Sequence, residues 1–255
     1  MIDLHAHILP GIDDGAQSLE MALEMARIAL AAGVRQMAAT PHCNLPDSSR
    51  ANYDGPELRR QLNDLRKALE QENLPLELYP GAEVFADEEL PRLVRSRRLT
   101  SLNDGRYLLV EFGFEEDPDF VTFILEMLLE EGYTPLIAHP ERYGFVIRNP
   151  ELAYRFVSMG CCLQLNRGSL TGRFGPRPER TAWALVEHQL AACVASDCHR
   201  AEFRTPHLAD AWEALEETYG PACPRLLLEE NPRRILDSRP VTGLRPFGFR
   251  GRRSF

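Results

Sequence analysis

Residues 107–112, YLLVEF, and residues 134–139, TPLIAH, frame a stretch over 118–131 that opens with Pro118 and is stopped by Gly132. The framing runs are short and apolar, and the stretch between them has helical length with Pro at its start. A strand, a helix and a second strand in that order form a unit whose strands run parallel, because the helix crosses over the sheet. Both strands also end on a side chain that can bind a metal, Glu111 in one and His139 in the other.

The unit repeats in both directions. Towards the N-terminus, IDLHA (2–6), VRQMAAT (34–40) and LELYPGAE (76–83) read as strands. Between them lie a helix over 18–32, with Ser18 as N-cap and Gly33 as stop, and a helix ending near Glu72 that Asp54 and Glu57 open as a capping box. A short helix follows the third strand. Towards the C-terminus come helix 150–159, strand CCLQL (161–165), the Gly-rich loop NRGSLTGRFG (166–175), helix 178–190 and strand LAACVAS (190–196). The stretch 206–236 reads as helical. Seven strands alternating with helices predict an α/β fold with a parallel sheet in a single domain. Residues 239–255 carry five Arg among Pro and Gly and read as a loose tail.

Composition narrows the partners. The chain has 255 residues, 44% of them hydrophobic and 26% charged, and a formal net charge of −9. That is enough apolar material for a core, and the charge weighs against nucleic acid as the main partner. An acidic protein that handles an anion must supply local positive charge, from metals or clustered Arg. Polar residues at Asp3, His5 and His7 leave no leader peptide at the start, and no run reaches the ~18–20 apolar residues of a membrane span. The six cysteines, Cys43, Cys161, Cys162, Cys193, Cys198 and Cys223, show neither a secreted-domain spacing nor a CxxC pair. Free thiols in a reducing cytoplasm are the expectation.

The chemistry collects at strand ends. His5 and His7 close the first strand and His42 follows the second; Glu83, Glu111 and His139 end the third, fourth and fifth; Asp197 and His199 follow the seventh. In a closed parallel barrel those ends open on one face, where such folds carry their active sites. His5 and His7 share one side of their strand, because side chains alternate with period 2. Imidazoles with carboxylates suit Zn²⁺, Mn²⁺ or Fe²⁺ and are too nitrogen-rich for Ca²⁺ or Mg²⁺. Asp14, just after the HxH strand, reads as a further ligand, whereas Asp13 fits a ligand or a turn equally well. His188 reads as a surface histidine, and His207, after Pro206, fits a helix start or a substrate contact. Cys161 and Arg167 have the C-x5-R spacing of thiolate phosphatases, but the residues between them alternate as a strand and lack glycine. They cannot easily wrap a phosphate, so Cys161 is not the expected nucleophile. Cys198 points away from its neighbours Asp197 and His199 in an extended chain and is not expected to be a ligand, although its thiol could make the site sensitive to oxidation.

The segments His5-Ala-His-Ile-Leu-Pro-Gly-Ile-Asp-Asp-Gly15, Ala39-Thr-Pro-His42, Pro80-Gly-Ala-Glu83, Ala138-His-Pro-Glu-Arg142 and Ala195-Ser-Asp-Cys-His199 resemble the PHP (polymerase and histidinol phosphatase) superfamily. More closely, they look like its bacterial protein-tyrosine phosphatases of the CpsB/YwqE type. The likeness runs over 1–238, with 239–255 as an Arg-rich tail outside it, and includes Gln164-Leu-Asn-Arg-Gly-Ser169 and Glu230-Asn-Pro-Arg-Arg-Ile-Leu236.

The resemblance implies a distorted (β/α)7 TIM-like barrel, the PHP fold, with up to three metal ions, manganese first and iron or zinc as alternatives. One ion would be held by His5, His7, Glu83 and Asp197; a second would share Glu83 and add Glu111 and His139; a third would take Asp14, His42 and His199. Arg142 and Arg204 match arginines that contact the substrate phosphate, which a metal-activated hydroxide attacks. The implied substrate is phosphotyrosine on a protein, the tail of a bacterial tyrosine kinase that controls capsule or exopolysaccharide export. That partner would bring the protein to the inner membrane face. Ala6, Cys43 and Cys198 depart from the usual pattern without removing a ligand. Three rival readings share the scaffold: a small-molecule phosphatase acting on histidinol phosphate, a non-catalytic regulatory module, and a nuclease, which the net charge of −9 disfavours. The tail fits a disordered end or a contact with an acidic kinase surface or anionic lipid. Oligomeric state is left open.

Overall fold

Parallel strands alternate with helices throughout the structure, a computed structural model that describes residues 1–46 and 51–249. The strands are β1 (Ile2–Ala6), β2 (Gln36–Ala39), β3 (His42–Cys43), β4 (Glu77–Pro80), β5 (Glu83–Phe85), β6 (Tyr107–Glu111), β7 (Thr134–Ala138), β8 (Cys162–Asn166) and β9 (Ala191–Ala195). β2 falls within the expected strand 34–40 and β3 continues its line beyond it, while β4 falls within the expected strand 76–83 and β5 extends from its last residue. Pro41, which cannot donate to a ladder, lies in the first break, and the second falls at Gly81-Ala82, directly after Pro80. The first halves pair in the order β1-β2-β4, the second halves in the order β3-β5-β6-β7-β8-β9.

The two sheets meet between β1 and the end of β9. Ala6 bridges Cys198, the Asp197 amide donates to the His5 carbonyl at 2.9 Å, and the His7 amide donates to the Cys198 carbonyl at 2.9 Å. With each bent strand counted once, every strand position is hydrogen-bonded to both neighbours, and the ring of seven closes. All C-terminal strand ends therefore face one side.

Helices wrap this ring. α1 (Leu19–Ala31) starts where the Ser18 hydroxyl accepts from the Met21 amide, and Gly33, at φ +87°, ends it. α2 (Pro56–Gln71) corrects the expected capping box. Pro56 opens the helix and makes Gly55 the N-cap, which leaves Asp54 one residue too early; its carboxylate accepts from Arg59 Nε at 2.8 Å instead. α3 (Leu90–Arg95), α4 (Pro118–Glu130), α5 (Gly144–Arg148), α6 (Glu151–Met159), α7 (Arg167–Leu170) and α8 (Pro176–Glu187) follow in order. α4 buries Val121, Ile124, Leu125 and Leu128, the i, i+3, i+4, i+7 stripe that a helix on a sheet requires. The helical stretch expected over 206–236 is broken once, at Gly220 with φ +76°, into α9 (Ala209–Tyr219) and a continuous run in which a π-helical turn, Leu226–Glu230, joins α10 (Ala222–Arg225) to α11 (Asn231–Leu236).

The tail is not loose where it is described. Tyr107 Oη donates to the Arg239 carbonyl at 2.8 Å, and Asn231 exchanges two hydrogen bonds with Thr242. The Arg245 amide donates to Gln189 Oε1 at 3.0 Å and the Phe249 amide to Glu151 Oε2 at 2.7 Å. His188, expected on the open surface, is the platform for this strap: its ring stacks on Phe249 with centroids 3.7 Å apart. Apolar side chains spaced among the arginines give the segment something to bury. Arg250, Arg252 and Arg253 lie outside the described residues. No described helix is long and apolar enough to cross a membrane.

Removal of residues 240–255 should cost about 2 kcal/mol, several net hydrogen bonds and a ring contact, and lower the thermal midpoint by roughly 4–8 °C. An unchanged midpoint would show that the strap adds nothing to stability.

Candidate metal centre

Nine side chains that sequence reasoning places at strand ends, or just beyond them, meet in one cluster. His5 and His7 bring their Nε2 atoms 3.2 Å apart, and each lies 3.2 Å from Glu83 Oε2. Asp197 Oδ1 is 3.5 Å from His5 Nε2, 3.6 Å from His7 Nε2 and 3.6 Å from His199 Nδ1. His139 Nε2 sits 3.0 Å from Glu83 Oε1 and 3.6 Å from Glu111 Oε1. On the other flank, Asp14 reaches His42 Nε2 at 3.5 Å and His199 Nε2 at 3.6 Å. Ligand atoms fall into three mutually close groups: His7, Asp14, His42 and His199; His5, His7 and Glu83; His42, Glu83 and Glu111. Glu83, just past the break at Gly81-Ala82, belongs to two of the three, and His7 and His42 link it to the group that holds Asp14 and His199.

Burial sorts the cluster into a floor and a mouth. His5, His7, Glu83, His139 and Asp197 are sealed from solvent, while Asp14 is 42% exposed and His42 and Glu111 are 13% exposed. His139 and Asp197 both adopt left-handed backbone, φ +36° and +50°. Such conformations cost on the order of 1–3 kcal/mol each in non-glycine residues and persist where the surroundings hold them. A Cβ at Gly15 would meet the His7 carbonyl, so glycine is what lets the Asp13-Asp14 turn fold back onto β1.

A ring of partners aims the imidazoles. Asp13 Oδ2 lies 2.7 Å from His7 Nδ1 and accepts from the His42 amide at 3.0 Å, a position that fits orienting these two histidines. Gln164 Oε1 is 2.9 Å from His5 Nδ1, and Asn166 Nδ2 donates to Asp197 Oδ2 at 2.6 Å. Glu141, fully buried, accepts from the Asn166 amide and from Ser169 Oγ. With Nδ1 engaged, the Nε2 atoms of His5 and His7 face the centre. None of these roles is among the expectations that the sequence raises.

The electrostatics call for cations. Burial opposes ionisation of Glu83, but the imidazoles of His5 and His42 outweigh it and hold the carboxyl well below the usual range. Burial, with the charges of Glu83 and Asp197, pushes Glu111 well above it. Burial also opposes charge on His5 and His7, yet Glu83 and Asp197 raise the first and Asp13 raises the second. Burial lowers His139 to about 4 and His199 to about 3, leaving neutral imidazoles at pH 7. Glu83 Oε2, Asp197 Oδ1, His42 Nδ1 and His199 Nε2 are buried and hydrogen-bond to no described residue. Orphaned lone pairs of mixed nitrogen and oxygen, converging in a buried acidic cluster, fit divalent transition-metal ions.

Two arginines stand at the mouth, 18% and 19% exposed. Arg204 pairs with Asp197 Oδ2, and Arg142 Nη1 lies 3.4 Å from the same oxygen. The Arg142 guanidinium is held between two rings, 4.9 Å from the Phe114 centroid and 4.4 Å from that of Phe174. Gly168 permits this stack, since a Cβ there would come within 2.6 Å of Phe174. His207 is exposed, and among the described residues no hydrogen bond or ion pair joins it to the cluster. Burial pushes the Cys161 and Cys198 thiols up to about 12, so neither is a thiolate at neutral pH.

The family described as "Capsular polysaccharide synthesis, CpsB/CapC" matches residues 1–237. This chain belongs to the CpsB/CapC family. Among curated relatives it is 38% identical to the tyrosine-protein phosphatase YwqE of Bacillus subtilis over 229 residues, 90% of this chain and 89% of the relative. It is 33% identical to a protein named putative tyrosine-protein phosphatase CapC of Staphylococcus aureus, over 78% of this chain and 77% of that one. A solved chain, described with YwqE from Bacillus subtilis and CpsB from Streptococcus pneumoniae as unique metal-dependent tyrosine phosphatases, superimposes with a TM-score of 0.91. That chain is 37% identical, and the match covers 98% of this chain and 100% of it.

If Asp13 orients His7 as the CpsB/CapC geometry here indicates, Asp13→Ala should weaken metal binding about 10–100-fold in calorimetric titration. Unchanged affinity would leave Asp13 a turn residue only.

Proposed function

We propose that this chain hydrolyses phosphotyrosine on proteins, with divalent metal ions held by His5, His7, Asp14, His42, Glu83, Glu111, His139, Asp197 and His199. The observation that carries the reading is the convergence of these nine side chains, with two partly exposed arginines set against Asp197. Bound metal ions supply Lewis acidity, lowering the pKa of water and neutralising phosphoryl charge. His5, His7, Glu83 and Asp197 form one site, Glu83 with Glu111 and His139 a second, and Asp14, His42 and His199 a third. Manganese is the proposed resident, supported by the mixed imidazole and carboxylate donors; iron and zinc accept the same set.

Arg142 and Arg204 bind the phosphoryl oxygens. Both rest against Asp197, so an arriving dianion replaces one carboxylate oxygen with better-matched partners. This is how a chain of net charge −9 accepts an anionic substrate. The rim favours an aryl phosphate: Phe114 is 45% exposed, with its ring centroid 6.3 Å from that of His139, and Phe203, beside Arg204, is 58% exposed. A tyrosyl ring can lie against these faces while its phosphate reaches the arginines. Phenolate, with a parent pKa near ~10, leaves without obligatory proton donation. The substrate we propose is the tyrosine-rich tail of a bacterial kinase that controls capsule or exopolysaccharide export, met at the inner face of the membrane. All six cysteines are free, five of them buried, which suits a reducing cytoplasm.

Parallel assays with a phosphotyrosyl peptide and histidinol phosphate test this. The peptide should be the preferred substrate, chelation should abolish turnover, and Cys161→Ser should leave it within about twofold because its thiol stays protonated at neutral pH. Preference for histidinol phosphate would move the chain to the metabolite phosphatases. Loss of activity in the Cys161 variant would sink the metal-based reading.

A further inference from the structure

We propose that Arg167 is a positioning residue that holds Arg204 in its phosphate-binding place. The inference rests on the reading of Arg204 just given.

Arg167 begins α7 directly after β8, where Asn166 caps the turn by accepting from the Gly168 amide at 2.8 Å. Its side chain is almost wholly buried, 8% exposed, which is unusual for arginine and requires that its donors be used. They are. Nε donates to Asp210 Oδ1 at 2.7 Å and Nη2 pairs with Asp210 Oδ2, a two-pronged match of fork to carboxylate. Nη1, at the other end of the plane, donates to the Thr205 carbonyl at 3.0 Å and approaches Thr205 Oγ1 at 3.4 Å. Asp210 is itself fixed in the first turn of α9.

Thr205 is the residue after Arg204, and Arg204 has left-handed backbone at φ +52°. A conformation of that kind in a bulky residue relaxes unless both sides are restrained. One restraint is the His199 amide, which donates to the Arg204 carbonyl at 2.9 Å and closes the 199–204 loop. The other is the Arg167 bond to the next carbonyl. A rigid plane running from the β8 end to α9 thus pins the loop from outside, while Asp197 meets the Arg204 head from inside. Lysine at 167 could keep the charge pair with Asp210 but has no second edge for Thr205.

The test is a double-mutant cycle on the metal-loaded protein with p-nitrophenyl phosphate as probe. Arg167→Met should raise KM about tenfold with little change in kcat, and metal content should stay at the parent level. Arg167→Lys and Asp210→Asn should shift KM in the same direction, which keeps the test alive if the methionine variant folds poorly. On an Arg204→Ala background, Arg167→Met should add nothing further, because the group it positions is gone. If Arg204→Ala raises KM but the two effects multiply, Arg167 acts elsewhere and the proposal falls alone. If Arg204→Ala leaves KM unchanged, the phosphate-binding reading fails and takes the proposal with it.

Discussion

Carboxylates buried close together set the terms for the rest of this structure. Glu83 and Glu111 offer oxygens within 4.8 Å of one another, and Asp197 adds another acid on the same floor. Two like unit charges at that distance repel by about 3.5 kcal/mol even at an effective dielectric of 20. The closed ring brings them there because every strand delivers its C-terminal end to the same face. Something positive must enter. In the bare chain, protons on His5 and His7 and a proton held by Glu111 answer the demand; cations answer it better, because they also satisfy the orphaned lone pairs of Glu83 and Asp197.

The same constraint explains the outer layers. Candidate ligands in strained backbone, such as His139 and Asp197, keep their places only when neighbours over-determine them. One segment does much of this. From the end of β8 into α7, Gln164 aims His5, Asn166 fixes Asp197, Arg167 reaches towards the Arg204 loop, Gly168 admits Phe174 beside Arg142, and Ser169 ties to Glu141. A stretch that reads as a strand followed by a glycine-rich loop is the scaffold of the site.

The fold was largely legible because its signals are local. Apolar runs of strand length, helix stops at Gly33 and Gly132, and polar residues recurring at strand ends need no tertiary knowledge. What escaped depends on contacts between distant residues. Asp13 meets His7 only because the turn folds back over Gly15, and the His188 platform exists only because the C-terminal strap returns to it. The capping box at Asp54 failed for a local reason that could have been weighed, since Pro56 moves the helix start by one residue. A signal for the β8 partners was also present: Gln164 and Asn166 are polar at alternate positions of an otherwise apolar, fully buried strand, so both face the same way as one another. Phe247 and Phe249, spaced by two among the arginines of the tail, likewise marked a segment able to pack.

Cations on the buried acidic floor, with phosphate bound beside them by the arginines, are the central requirement of this site. An anomalous-difference map from crystals of the manganese-loaded protein, collected at the metal edge, tests this most directly. Peaks are expected among the three ligand groups, two of which share Glu83, with Arg142 and Arg204 beside Asp197. Crystals of catalytically active protein that show no anomalous peak within this cluster, or a peak only elsewhere, would contradict it.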